Sequence, residues 1–167
     1  CFDDMVSGSS EGTGWRLPKA DRELLKARRD GHLAHHATLW GGNLAMVTSL
    51  LGTPWWPDID DGVLFLEDVN EHPYRIERLL TQLLHAGLLA RQKAVLLGQF
   101  TGIRLAAHDK GFGMDSVVQW LRSQIDVPVL TGLPYGHVET KVLLPVGAKV
   151  DLAVQGRDAM LVWGHLD

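Results

Sequence analysis

The chain has 167 residues, with a hydrophobic content of 46% and a charged content of 22%, which are ordinary values for a globular domain. Its net charge of −4 and pI near 6.0 argue against the basic surface of a nucleic-acid-binding protein, and no apolar run approaches the roughly 18 residues of a membrane span. A single cysteine, Cys1, excludes an internal disulfide. We therefore expect no nucleic-acid partner and no membrane partner.

The first residues differ in composition from the rest. Residues 7–14 read SGSSEGTG, which is typical of a flexible linker. We predict that residues 1–14 are a tail or an interdomain linker and that residues 15–167 form one domain. Since the chain opens at Cys1 rather than at a methionine, we expect it to be a fragment, a processed product or an ordered part of a longer protein.

The first predicted elements precede a tight turn at Gly52 and Pro54. Residues 19–30 predict a short helix, and residues 32–39 predict a strand. Asn43 is a suitable N-cap for a helix through residue 51, because its side-chain oxygen can accept a hydrogen bond from the first helical turn. A glycine followed by a proline is a typical helix end.

A strand and a helix follow. Residues 63–66 are a continuous apolar run, which predicts a strand covered on both faces, as in a parallel sheet. Pro73 suits the first turn of the next helix, where apolar residues recur at helical spacing until Gly87 ends it.

The remaining pattern predicts a change of sheet type. Residues 94–97 and 127–130 predict two more buried strands, with a helix between them that Asp115 caps. Apolar segments at residues 141–144, 149–154 and 160–163 are separated by turn residues, which predicts antiparallel strands. The chain is therefore predicted to be an α/β domain with a mixed sheet or a second sheet.

A carboxylate and an imidazole stand at two of these strand ends. Glu67 follows the apolar run, and His137 follows the segment GLPYG. A neutral imidazole can take a proton from a hydroxyl nucleophile, while a carboxylate on its other nitrogen fixes its tautomer. The two residues predict the base and the orienting acid of a serine hydrolase. No serine or cysteine stands in a predicted strained strand-to-helix turn, so we expect the nucleophile on sequence outside this chain.

Each of these residues also has a structural interpretation. Glu67 lies shortly before a helix N-terminus, where acids are favoured by the helix dipole. A histidine after a glycine is commonly a loop residue. Spacing along the chain does not decide between these interpretations.

Two other groups are candidates for binding. Trp40, Gly41, Gly42 and Asn43 predict either a substrate-binding turn with a flat apolar wall or a helix entry with a packing tryptophan. The histidines at positions 32, 35 and 36 allow a metalloenzyme hypothesis, although adjacent strand residues point to opposite faces. We expect no metal and no cofactor.

Several short motifs occur in order between residues 38 and 152. They are LWGGNLAM (39–46), LGTPW (51–55), LFLEDVNEHPYRIER (64–78), HAG (85–87), LGQF (97–100), TGLPYGH (131–137) and LPVGA (144–148). In these motifs the chain resembles the C-terminal half of the LD-carboxypeptidase A family, which belongs to the group of serine peptidases that includes microcin-immunity proteins.

The resemblance implies a swivelling β/β/α-type domain with a mixed or parallel sheet and a second antiparallel β layer. It implies that the intact protein removes terminal D-alanine from murein tetrapeptides during cell-wall recycling in the bacterial cytoplasm. Glu67 and His137 match the family's triad glutamate and histidine. The triad serine belongs to an N-terminal domain that this chain lacks, so the chain alone is expected to be inactive. A homodimer is also implied.

Two alternatives remain open. Relatives with this architecture act as immunity peptidases that cleave peptide antibiotics. The chain could also be a non-catalytic binding or dimerisation module.

Overall fold

The computed structural model describes residues 11–26, 31–139 and 141–164. Within these residues the strands form one sheet in the order β1-β7-β6-β2-β3-β4-β5. Their bounds are β1 Gly12–Arg16, β2 His32–Asn43, β3 Val63–Val69, β4 Ala94–Thr101, β5 Val129–Gly136, β6 Lys149–Gln155 and β7 Asp158–Val162.

The helices pack against the parallel part of this sheet. In the described residues they are α1 Lys19–Leu25, α2 Leu44–Ser49, α3 Pro73–His85 and α4 Met114–Gln124, with a 3-10 turn at Ala107–Asp109. The predicted cap of α2 is confirmed, because Asn43 Oδ1 accepts the N–H of Met46. None of the helices in the described ranges is long and apolar enough to cross a bilayer.

Strand β2 joins the two kinds of pairing. Its C-terminal half is parallel to β3, and its N-terminal half is antiparallel to β6, with register shifts in the antiparallel half. The sheet curls until its edges meet, and the indole N–H of Trp15 in β1 donates to the carbonyl of Thr131 in β5 at 3.0 Å. The predicted mixed α/β class is confirmed, and the antiparallel strands are continuous with the parallel ones.

Strand β3 is buried on both faces, as its apolar run predicts. Leu64 and Leu66 pack with the helices, whereas Val63 and Phe65 pack inside the curl of the sheet. Two cores therefore flank the strand that carries Glu67.

A buried ion pair fixes the edge strand β5. The Asp21 carboxylate in α1 is 1% exposed and accepts the N–H of Thr131 at 2.6 Å. Arg122 in α4 pairs with Asp21 at 2.8 Å and donates to the carbonyl of Val129. These contacts hold β5, whose C-terminal end leads directly into His137.

Besides shifts in strand ends, the structure differs from the element predictions at three places. Residues 141–144 are irregular, and the N–H of Val142 donates to the carbonyl of Pro134, whose ring nitrogen has no hydrogen to return a ladder bond. Helix α4 is capped by Gly113 rather than by Asp115, which lies in the first turn. Residues 12–14 of the predicted linker belong to β1, and residues 7–10 lie outside the described residues.

Candidate active site

Glu67 and His137 meet at the carboxyl ends of the parallel strands. The Oε2 of Glu67 lies 2.9 Å from the Nδ1 of His137. Glu67 is 4% exposed, whereas the His137 side chain is 56% exposed. A carboxylate accepts hydrogen bonds, so this contact favours the tautomer in which Nδ1 carries the hydrogen and Nε2 offers a lone pair. A buried acid thus orients a half-exposed base.

Gly98 allows this contact across an intervening strand. Glu67 lies in β3 and His137 follows β5, so the two side chains must meet over β4. A Cβ added at Gly98 would lie 2.5 Å from the carbonyl oxygen of Tyr135 and 3.4 Å from the Cβ of Glu67. The pairing of β3 with β4 also shifts register between Leu66 and Asp68, as bulges near active sites commonly do.

Gly136 places the imidazole. Its φ is +136°, which is strained for residues with a side chain, and a Cβ there would lie 2.8 Å from the Gln99 carbonyl oxygen. The same Cβ would lie 3.3 Å from Glu67 Oε2, the oxygen that contacts His137. The absence of side chains at positions 98 and 136 therefore gives the acid–base pair its space.

Polar groups behind Glu67 complete its surroundings. The Asn43 Nδ2 lies 3.3 Å from Glu67 Oε1 and 2.9 Å from the Oδ1 of Asp68. Asp68 is 3% exposed and also accepts the backbone N–H groups of Ala45 and Val69. Two adjacent buried carboxylates are thus held apart by one amide.

The negative charge of Glu67 affects the ionisation of Tyr135. Burial raises the pKa of the Tyr135 phenol above its ordinary value, and the nearby Glu67 carboxylate raises that pKa further. The Tyr135 ring also packs edge-on against Phe65, with ring centroids 5.0 Å apart. Tyr135 is therefore a neutral neighbour of the acid–base pair.

The outward nitrogen of His137 has no partner among the described residues. The carbonyl of His137 accepts the Thr101 hydroxyl at 3.4 Å, and among the described residues the hydrogen-bond partner of its ring is Glu67. The described serines, at positions 49, 116 and 123, form hydrogen bonds within or beside their own helices. The Nε2 position is open to a hydroxyl supplied from elsewhere.

The predicted substrate-binding turn divides into packing residues and a site residue. Trp40 is 4% exposed, donates its indole N–H to Gln92 at 2.8 Å and packs edge-on against Trp56. A Cβ at Gly41 would lie 1.9 Å from the carbonyl oxygen of Phe65. Trp40 and Gly41 thus fill the contact with the helices and with β3, which favours the packing interpretation, and their contact with a substrate stays a prediction. A Cβ at Gly42 would meet nothing within 4 Å, and Asn43 contacts Glu67.

The histidines proposed for a metal site are not gathered into one. His35 Nδ1 lies 2.8 Å from the Asp151 carboxylate, which also accepts the backbone N–H of His36. Across residues 11–26, 31–139 and 141–164, no group of three or more His, Cys, Asp or Glu side chains could hold a metal ion.

Sequence reasoning missed Gly98 and Asp68. Gly98 lies in the motif LGQF, which contributes only to the family resemblance, and Asp68 lies in LFLEDV, where only Glu67 receives a role. A glycine within an apolar strand was the available signal for a close approach, but the approaching residue is distant in sequence.

Comparison with known proteins identifies the family. The model of the LD-carboxypeptidase C-terminal domain matches residues 36–152. This chain belongs to that family, and its mixed α/β fold agrees with the family's solved structures.

Individual relatives cover most of the chain. The murein tetrapeptide carboxypeptidase of Pseudomonas aeruginosa is 33% identical over 135 residues, which are 78% of this chain and 43% of that protein. The crystal structure of muramoyltetrapeptide carboxypeptidase from Oxalobacter formigenes is 41% identical with a TM-score of 0.83, covering 99% of this chain and 54% of that one. The microcin C7 self-immunity protein of Escherichia coli is 28% identical over 127 residues, 75% of this chain and 36% of that protein. The chain therefore spans about half or less of the length of these relatives.

Proposed function

We propose that this chain supplies the histidine and glutamate of a Ser-His-Glu triad in a serine LD-carboxypeptidase. The intact protein would remove the terminal D-alanine of murein tetrapeptides during cell-wall recycling. The observation that carries the proposal is the 2.9 Å contact between buried Glu67 and half-exposed His137. A buried carboxylate on one imidazole nitrogen and access to the other are the requirements of a general base in acyl transfer.

In the proposed mechanism, an N-terminal domain of the same protein presents a serine hydroxyl to His137 Nε2. His137 takes the hydroxyl proton as the serine oxygen attacks the carbonyl of the diaminopimelyl–D-alanine bond. The imidazolium then gives that proton to the D-alanine nitrogen, and D-alanine leaves. Water attacks the acyl-enzyme by the same route and restores the serine. Glu67 holds the ring throughout and stabilises the imidazolium.

The substrate class is inferred from relatives. The enzymes from Pseudomonas aeruginosa and Oxalobacter formigenes are named for murein or muramoyl tetrapeptides. The second of them is 41% identical over nearly the whole chain, which favours the same substrate here over other peptides.

The experiment is D-alanine release from a murein tetrapeptide by the full-length protein. We expect His137→Ala to lower kcat by about 10⁴-fold or more without unfolding the protein, because triad residues act as a unit. His35→Ala is the matched control, since that side chain is 87% exposed and pairs with Asp151 away from Glu67. Near-normal activity of His137→Ala would refute the triad assignment.

An immunity-type peptidase is the second candidate, because the Escherichia coli self-immunity protein matches three quarters of the chain. A substrate panel separates the two activities. Release of D-alanine from the tetrapeptide supports the first, and cleavage of an aminoacyl sulfamoyl nucleoside without D-alanine release supports the second.

We further propose that the intact protein is a homodimer in the bacterial cytoplasm and that the present chain alone does not hydrolyse peptides. Sedimentation of the full-length protein and cell fractionation test the first two statements. A serine-reactive fluorophosphonate tests the third, since covalent labelling of this chain by itself would contradict the absence of the nucleophile. A binding or dimerisation module without catalysis would leave the full-length protein unlabelled as well.

A further inference from the structure

The side-chain amide of Asn43 has one orientation that suits its neighbours. Its Oδ1 accepts the N–H of Met46 at 3.1 Å, which caps helix α2. Its Nδ2 faces the carboxylates of Asp68 at 2.9 Å and Glu67 at 3.3 Å. A reversed amide would turn its oxygen toward both carboxylates and its hydrogens toward a backbone N–H. The neighbours therefore fix which end of the amide meets Glu67.

The carboxylate of Asp68 holds this amide in place by a hydrogen bond. Its Oδ2 accepts the Ala45 N–H at 3.0 Å, and its Oδ1 accepts the Val69 N–H at 2.8 Å together with the Asn43 amide. Three donors satisfy this carboxylate without any contribution from His137. With 3% exposure, Asp68 is withdrawn from the opening beside the imidazole.

We infer that Asn43 and Asp68 are positioning residues for the triad glutamate, an inference that rests on the proposed function. Asp68 holds the Asn43 amide, and the amide holds Glu67 Oε1, so that Oε2 remains directed at His137. Without the amide, the Glu67 carboxylate gains freedom to rotate, and two adjacent buried acids face each other with no donor between them. This role replaces the substrate contact that the sequence suggests for Asn43.

Two substitutions at one position separate positioning from capping. Asn43→Ser keeps an N-cap oxygen but is too short to bridge the two carboxylates, whereas Asn43→Ala loses both functions. In the full-length enzyme we expect kcat for D-alanine release to fall about 10- to 100-fold in both variants, with KM within about twofold of wild type. Only the alanine variant should also have a lower Tm.

A substitution at Asp68 tests the same arrangement from its buried end. Asp68→Asn is nearly isosteric, but its amide nitrogen must replace one of the two carboxylate oxygens. In one orientation the new NH₂ group faces the NH₂ group of Asn43, and in the other a backbone N–H loses its acceptor. We expect the same fall in kcat with an unchanged KM, although position 68 is withdrawn from the substrate opening.

The tautomer of His137 provides a readout that needs no substrate. Nitrogen-15 NMR of the protein at alkaline pH distinguishes the two neutral forms of an imidazole, and His137→Ala identifies the signal among eight histidines. We expect the Nδ1–H form in wild type and a mixture of both forms in Asn43→Ser and Asp68→Asn.

Three results would overturn the inference. Normal kcat in Asn43→Ser would reduce Asn43 to a helix cap. A raised KM at position 43 with an unaffected Asp68→Asn would restore the substrate-binding role. An unchanged tautomer in both variants would remove the positioning effect itself. If no form of the protein releases D-alanine, the proposed substrate fails, while the NMR comparison still decides the role of Asn43 and Asp68.

Discussion

Gly136 offers the sharpest test of how the backbone creates the site. Its φ of +136° costs a residue with a side chain about 1–3 kcal/mol. A Cβ at this position would also lie 2.8 Å from the backbone oxygen of Gln99. Because that oxygen belongs to β4, the overpacked contact is relieved only if β4 moves away from β5, which costs about 1–3 kcal/mol. We expect Gly136→Ala to lower the free energy of unfolding by about 2–6 kcal/mol.

Gly132 is a matched control on the same strand. Its φ is +81°, but a Cβ there would meet nothing closer than 3.6 Å, at the Trp15 ring. Gly132→Ala should therefore cost about 1–2 kcal/mol from backbone strain alone. Urea unfolding followed by tryptophan fluorescence measures both variants, and the His137 ring signals report the contact with Glu67. A Gly136→Ala protein as stable as Gly132→Ala, with an unaltered His137 signal, would refute this account of the site.

Three further predictions concern charges. Glu67→Gln should lower the pKa of Tyr135 toward its ordinary value of about 10, because the negative charge is removed while burial remains. Tyrosinate absorbance measures the pKa of Tyr135, and Tyr74, the other tyrosine of the chain, is the internal reference. Asp21→Ala should lower the free energy of unfolding by about 3–5 kcal/mol, because it leaves buried Arg122 unpaired, whereas Lys26→Ala in an exposed pair should cost at most about 1 kcal/mol. The N–H of His36 holds the pKa of Asp151 below its ordinary value, so this acid stabilises the fold above about pH 4, and the contribution is lost as pH falls through the folded-state pKa. Stability should consequently decline less steeply below about pH 4 in Asp151→Asn than in wild type, and parallel pH curves would contradict that.

Local signals explain the elements that sequence reasoning found. Helix α3 begins at Pro73 with His72 as its N-cap and ends before Gly87, as the pattern predicts. The cap of α2 at Asn43 likewise follows from a side-chain oxygen close to its own chain. Such elements depend on contacts within a few residues, which the sequence displays directly.

Elements that depend on distant partners were less predictable. Strand β3 was expected to end at residue 66, because two acids follow, yet it continues through Val69. Glu67 and Asp68 remain in the strand because an amide from another strand lies between them. The irregular segment at residues 141–144 has a suitable apolar pattern, but its neighbour Pro134 cannot donate a ladder bond.

The candidate site was predictable in its chemistry but not in its geometry. Strand ends that carry Glu67 and His137 suggest an acid and a base, while their separation of 70 in residue number says nothing about their distance in space. The missing information is the strand order, which places β4 between their strands, and the glycine at position 98 that lets the side chains meet over it.

The arrangement at Glu67 is costly for folding and has a chemical purpose. Burying two adjacent carboxylates is unfavourable unless donors satisfy both, and here backbone and amide groups satisfy Asp68 while Glu67 depends on the amide and the imidazole. A domain selected for stability alone has no need of a second acid at this position. The buried Glu67, placed where Gly98 and Gly136 leave room for it, is therefore best explained by the orientation of His137, and in the proposed function the half-exposed ring that it holds activates a hydroxyl from another domain.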